Sequence, residues 1–173
     1  MLIQINIKKM KITGLLAFMI CICCCCRSIS QTNTFAADQF TFEYPKGWSV
    51  VENQTYLDVV NNNRSKDQAK ELVTINQVQS NGMSLEKCFE IHVSKWYDDQ
   101  HQGKSIETGS TIIDNRNAKW MQYQFGHEHS ITSLTFLIYN NNEFYLIRGL
   151  CLTSDFSNFK SEFEKISKSF KIK

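Results

Sequence analysis

The chain has 173 residues, a formal net charge of +2, 42% hydrophobic residues, one proline and twelve phenylalanines. So many aromatics with so little proline exclude a linker or a disordered tail. The positive balance belongs to the first thirty residues, which hold four basic side chains and no acidic one; residues 31–173 carry fifteen basic against seventeen acidic residues, which leaves no electrostatic footprint for nucleic acid.

Lys8, Lys9 and Lys11 precede an apolar run of fifteen residues from Ile12 to Cys26, and Arg27 ends it. A basic segment followed by a short apolar one reads as a signal peptide. The run is below the roughly 17–25 residues that span a bilayer. Ser28 and Ser30 supply the small side chains a signal peptidase needs, so cleavage is expected between Ser30 and Gln31 and the protein is expected to be periplasmic or secreted. Five of the seven cysteines (Cys21, Cys23, Cys24, Cys25 and Cys26) lie in the apolar run and leave with it. The alternative is a lipid-modified cysteine as in bacterial lipoproteins, for which Cys25 is the nearest match, with Ile22 three residues before it.

After an N-terminal extension over 31–39, residues 40–173 read as one domain. Phe40, Phe42 and Tyr44 alternate at period two and stop at Pro45 and Gly47; Trp48–Val51, Tyr56–Val60 and Leu72–Val78 give three further strands, with a polar loop over Asn61–Gln68. The period then changes. Leu85, Cys88, Phe89, His92 and Trp96 share one helical face, with Ser84 as N-cap, Met83 as a hydrophobic staple on Cys88 and an end near Gln100 before Gly103. Strands resume at Ile106–Ile113 and Trp120–Phe125 around a turn over Asp114–Asn117. Ile131–Tyr139 and Phe144–Leu152 form a central hairpin, apolar on both faces and joined by Asn140–Asn142. Phe156, Phe159, Phe163, Ile166 and Phe170 then mark an amphipathic helix capped by Ser154. The expected fold class is α+β: a largely antiparallel sheet of six to eight strands layered with two helices, in the order ββββαββββα.

The opening Phe40-Thr41-Phe42-Glu43-Tyr44-Pro45-Lys46-Gly47-Trp48 resembles the F-x-YP-x-GW entrance of PsbP-like domains, which share a fold with the Ran-binding Mog family and the DcrB-type periplasmic proteins. Tyr145, Ser154, Phe156, Phe159 and the closing Ile166-Ser167-Lys168-Ser169-Phe170 extend the resemblance across Phe40 to Phe170. These motifs are structural: proline presets φ and glycine permits a positive one. The resemblance implies a non-enzymatic module, which is a photosystem subunit in plastids, a small-GTPase partner in nuclei or an envelope protein in bacteria. Only the last agrees with a secretory leader. It carries over no catalytic residue, cofactor or metal site.

The residues themselves offer few rivals. Gly126-His127-Glu128-His129 is the one local set of metal-ligating groups; two imidazoles at i and i+2 share a strand face, but a third ligand is required and none is located, so the bland reading is a hairpin tip. His92 reads as a core histidine bonded to backbone rather than a pocket base. Asp98 and Asp99 point apart on a helix end. Asn53-Gln54-Thr55 and Asn63-Arg64-Ser65 are glycan acceptors only in a eukaryotic host. Cys88 and Cys151 survive leader removal and export permits a bridge between them, although two separate core thiols are favoured because a helix stacked about 10 Å above a sheet usually holds such pairs too far apart.

The function expected from all this is a non-enzymatic binding or accessory protein of the cell envelope or extracellular space, with a protein or small-ligand partner. An unrecognised secreted hydrolase and a lipid-anchored envelope protein are the alternatives. The intact mass of the secreted form is expected to match residues 31–173, less one ammonia where Gln31 cyclises; a lipid adduct on any cysteine between 21 and 26 would overturn this and place the protein on a membrane.

Overall fold

Ten strands and two helices are formed in a computed structural model of the chain, which describes residues 31–63, 71–95 and 103–173. The strands are β1 (Thr32–Ala36), β2 (Phe40–Pro45), β3 (Trp48–Glu52), β4 (Tyr56–Asn61), β5 (Leu72–Gln79), β6 (Lys104–Ile113), β7 (Arg116–Phe125), β8 (Ile131–Asn140), β9 (Glu143–Leu152) and β10 (Lys171–Ile172). Helix α1 (Leu85–Phe89) follows β5 and continues as a π-helical stretch over Glu90–Lys95; helix α2 (Phe156–Ser169) follows β9.

The fold is the α+β class expected, with every neighbouring strand pair antiparallel. The main sheet has seven strands in the order β3-β4-β5-β9-β8-β7-β6, and a second sheet has three, β1-β2-β10. The β8–β9 hairpin is central in position as well as in composition, and Asn141 at its tip has a positive φ of 55°. Two strands had no periodic signal. β1 lies in the segment 31–39, and β10 is two residues long, too short for any pattern to show.

Side-chain alternation divides the core into two layers. On β9, Tyr145, Ile147 and Cys151 face α2 and the small sheet, together with Leu57, Val59, Val73, Ile75, Leu134 and Phe136; Phe144 and Leu146 face α1, with Met121, Tyr123 and Leu137. The helices therefore cover opposite faces of the main sheet. Cys88 belongs to the α1 layer and Cys151 to the α2 layer, both buried and not joined in a disulfide. A sheet stands between them, so the favoured sequence reading of two separate core thiols holds.

Helix α2 seats deepest at Phe163. A Cβ on Gly149 would lie 2.4 Å from Phe163 Cγ, so the ring rests on bare backbone in the middle of β9. Trp48 meets Phe163 edge-on with centroids 6.5 Å apart, and Phe159 stacks 6.4 Å away. Beyond the helix end, Phe170 stacks on Phe40 at 4.9 Å and touches Tyr145 at 5.2 Å, which fastens β2 to the same layer. Burial there raises the Tyr145 phenol above its ordinary pKa. Ser154 does not cap α2. It falls within a 3₁₀ turn over Thr153–Asp155, and the cap position passes to Asp155, which makes no side-chain capping bond. The extra turn arises where β9 must bend off the sheet before a helix can start.

Helix α1 starts as its sequence announces: Ser84 Oγ accepts from Lys87 N at 3.2 Å, and Met83 packs in the cluster that holds Cys88. Its later course differs. A π turn is wider than an α turn, so the residue that returns to the sheet after Cys88 is Val93, five on, and not His92, four on; Val93 is fully buried and His92 half-buried. His92 is accordingly not a core histidine. The expected continuation through Trp96 to Gln100 lies outside the described residues, as do the leader 1–30 and most of the polar loop after Asn61.

Phe163→Ala is expected to cost about 3–5 kcal/mol and Gly149→Ala about 1–3 kcal/mol in denaturant unfolding. In the Phe163→Ala background the glycine substitution loses its clash and should cost far less; strict additivity would show that the ring does not sit on Gly149. Burial pushes the Cys88 thiol up to about 11, so a chain of residues 31–173, folded and non-reduced at pH 8, should resist a thiol reagent, and the same chain unfolded should take up two equivalents. Uptake only after reduction would establish a disulfide.

Candidate functional site

β6 is one edge of the main sheet, and among the described residues no strand pairs with its outer side. The hairpin to β7 turns on two residues, Asp114 and Asn115, both with positive φ (50° and 58°). Such a turn forces Ile113 and Arg116 to be a hydrogen-bonded pair, because the next ladder bonds inward would have to join Asp114 to Asn115. Thr111 and Gly109 then also bond to β7, and Thr108, Ser110 and Ile112 turn their N–H and C=O groups outward. At the other end the register with β7 shifts between Ser105 and Glu107, a bulge at Ile106. The regular part of the unpaired ladder is thus Thr108–Ile112.

A groove flanks this edge on each face. On the α1 side, a cavity of about 660 Å³ lies between Ser84, Leu85 and Glu86 at the start of α1 and Ser110, Ile112, Lys119 and Tyr139 on the sheet. Its apolar floor is open: Ile112 is 60% exposed and Tyr139 37%. Lys119 borders it, with Nζ 5.6 Å from the Phe89 ring centroid and 3.9 Å from Glu86 Oε1. On the α2 side, about 260 Å³ lies between Lys160, Glu164 and Lys168 of the helix and Glu107, Thr111 and Trp120 of the sheet. Lys168 is paired with Glu164 at 2.9 Å, whereas Lys160 and Glu107 have no ion partner among the described residues.

The turn that opens the edge is itself well held. Asp114 pairs with Arg116 and accepts from Ile172 N at 3.0 Å, so the tip of the β6–β7 hairpin is tied to β10. The α1 surface has a local anchor too, because hydrogen bonds from Lys87 and Lys95 hold the Glu90 carboxyl below the usual carboxylate range.

The residues singled out from sequence do not gather. His127, Glu128 and His129 form a 3₁₀ turn between β7 and β8, entered through Gly126 at φ 82° with Glu128 at φ 53°, so the segment is a turn and not the strand that an i, i+2 pair of ligands requires. Among the described residues no three histidine, cysteine or acidic side chains converge as metal ligands. Asn53 is exposed and its amide reaches Asp58 at 3.4 Å; Asp98 and Asp99 lie outside the described residues. What sequence reasoning missed is that β6 is an edge. Its strand was expected, but nothing in Thr108-Gly109-Ser110-Thr111-Ile112 distinguishes an edge from a centre, and the only hint was a strongly apolar Ile112 on an otherwise polar face.

No curated protein matches the sequence. Among solved structures, the cyanobacterial PsbP protein CyanoP of Synechocystis sp. PCC 6803 superposes with a TM-score of 0.63 at 13% identity, over 86% of this chain and 96% of that one. LpqN of Mycobacterium tuberculosis, described as involved in cell envelope biogenesis, gives 0.61 at 8% identity over 82% and 90%. PA94 of Pseudomonas aeruginosa, of unknown function, gives 0.57 at 13% identity over 80% and 95%. These likenesses are of fold. The PsbP family model matches residues 30–172, from the head of β1 to the end of β10, and the chain belongs to the PsbP family.

Proposed function

We propose that the protein is an exported, non-enzymatic binding or accessory protein, and that it holds its partner in the groove between α1 and the β6–β7 hairpin. The observation that carries this is the groove's lining. Leu85, Ile112 and Tyr139 present an apolar floor, Ser84, Ser110, Glu86 and Lys119 give it a polar rim, and Ile112 stands 60% exposed with no packing role that explains it. Concave apolar surface with a few placed polar groups is the usual form of a recognition site. Membership of a family typified by accessory subunits supports the reading, as does the basic and then apolar pattern of residues 8–26, which reads as a leader. The description of LpqN in envelope biogenesis supports an envelope setting.

An Ile112→Glu substitution tests it. The side chain is largely exposed, so folding stability should change by less than about 0.5 kcal/mol, while a charge placed on the groove floor should reduce partner recovery at least tenfold when the secreted protein is used for affinity capture from its own envelope fraction. Equal recovery by both proteins would remove the groove from the binding surface.

A further inference from the structure

We infer that the partner binds as an extended peptide that adds a strand to β6 along Thr108–Ile112. This rests on the groove reading above and goes further, because it names what the partner must be. The outward N–H and C=O groups of Thr108, Ser110 and Ile112 are strong hydrogen-bonding groups arranged in a line, and the chemistry that satisfies them together is another extended backbone. An added strand projects alternate side chains to opposite faces of the sheet. Here one set meets the groove of about 660 Å³ on the α1 side and the other meets the groove of about 260 Å³ on the α2 side.

The two grooves define the peptide. The α1-side groove, floored by Ile112 and Tyr139, takes bulky apolar side chains. The α2-side groove holds the Lys160 amine and the Glu107 carboxylate, neither with an ion partner among the described residues, and an amide or hydroxyl side chain that both donates and accepts complements the pair. A second copy of β6 is the natural rival, since edges can pair with themselves. It would offer Thr108, Ser110 and Ile112 to the larger groove, too little volume to fill it. The observations therefore favour a peptide of alternating large apolar and polar uncharged residues.

The probe is a displayed library of random dodecapeptides selected on the secreted protein. Selected peptides should alternate as described and slow amide exchange at Ser110. Ser110→Pro deletes one outward donor at an edge position where proline is tolerated; it should leave thermal unfolding in place and weaken binding at least tenfold. Methylating the peptide's central backbone nitrogen should do the same, and covers the case in which the proline variant misfolds. Failure to select any peptide, or binding indifferent to both changes, would overturn strand addition. If indifferent peptides are still lost on Ile112→Glu, the groove reading survives without the strand. A micromolar dimer abolished by Ser110→Pro would assign the edge to a second copy and equally overturn the proposal.

Discussion

The contact of Phe163 with Gly149 sets the height at which α2 rides over the main sheet, and much of the molecule follows from that height. A helix can approach a sheet this closely only where a central strand offers no side chain, and β9 does so at its middle. Trp48 then reaches Phe163 edge-on, Phe159 fills the space beside it, and the chain leaving α2 is low enough for Phe170 to stack on Phe40. Ser169 hydrogen-bonds the Glu43 backbone, with its Oγ accepting from Glu43 N at 2.8 Å, and β10 completes the small sheet on β2. The three-stranded sheet is in this sense a consequence of α2's position, not an independent module.

The opposite face is organised differently. Helix α1 packs on β7 and β8 through Cys88, Phe89 and, by way of the π turn, Val93. The extra residue in that turn exchanges the position of His92 for that of Val93, so a titratable group leaves the interior and an aliphatic one enters. Among the described residues the start of α1 borders the larger groove without covering its floor, and the apolar side chains there, Ile112 and Tyr139, are exposed.

How much of this was legible depended on whether the controlling signal was local. Period-two and period-3.6 patterns announced β2 to β9 and both helices, and the Ser84 cap and the Pro45–Gly47 turn were readable because a cap and a turn are decided by neighbours in sequence. Gly47 indeed has φ 89°. The π register is not local: it is settled by packing on Met121 and Leu137, and strict α spacing pointed to His92 instead. Ser154 failed as a cap because the bend off β9 needs a 3₁₀ turn first. Strand order is still less local. The same residues that make β6 a strand would serve in a central position, and only the path of the chain puts it at the rim.

The two rims of the main sheet solve the edge problem in different ways, and the difference bears on recognition. β3 is five residues long, too short to template much pairing. β6 is ten residues long and instead carries a bulge at Ile106 between Lys104 and Glu107, which twists its first half away from any incoming strand. These devices protect against indiscriminate edge-to-edge association, yet they leave Thr108–Ile112 straight, uncharged and flanked by a groove on each face. An edge protected along its whole length would carry its charge or bulge at the centre. One that is guarded at its start, left open at its centre and bordered by side-chain pockets excludes long flat strands and admits a short extended segment of the right side-chain pattern, so the same bulge that limits aggregation also sets the length of what can bind.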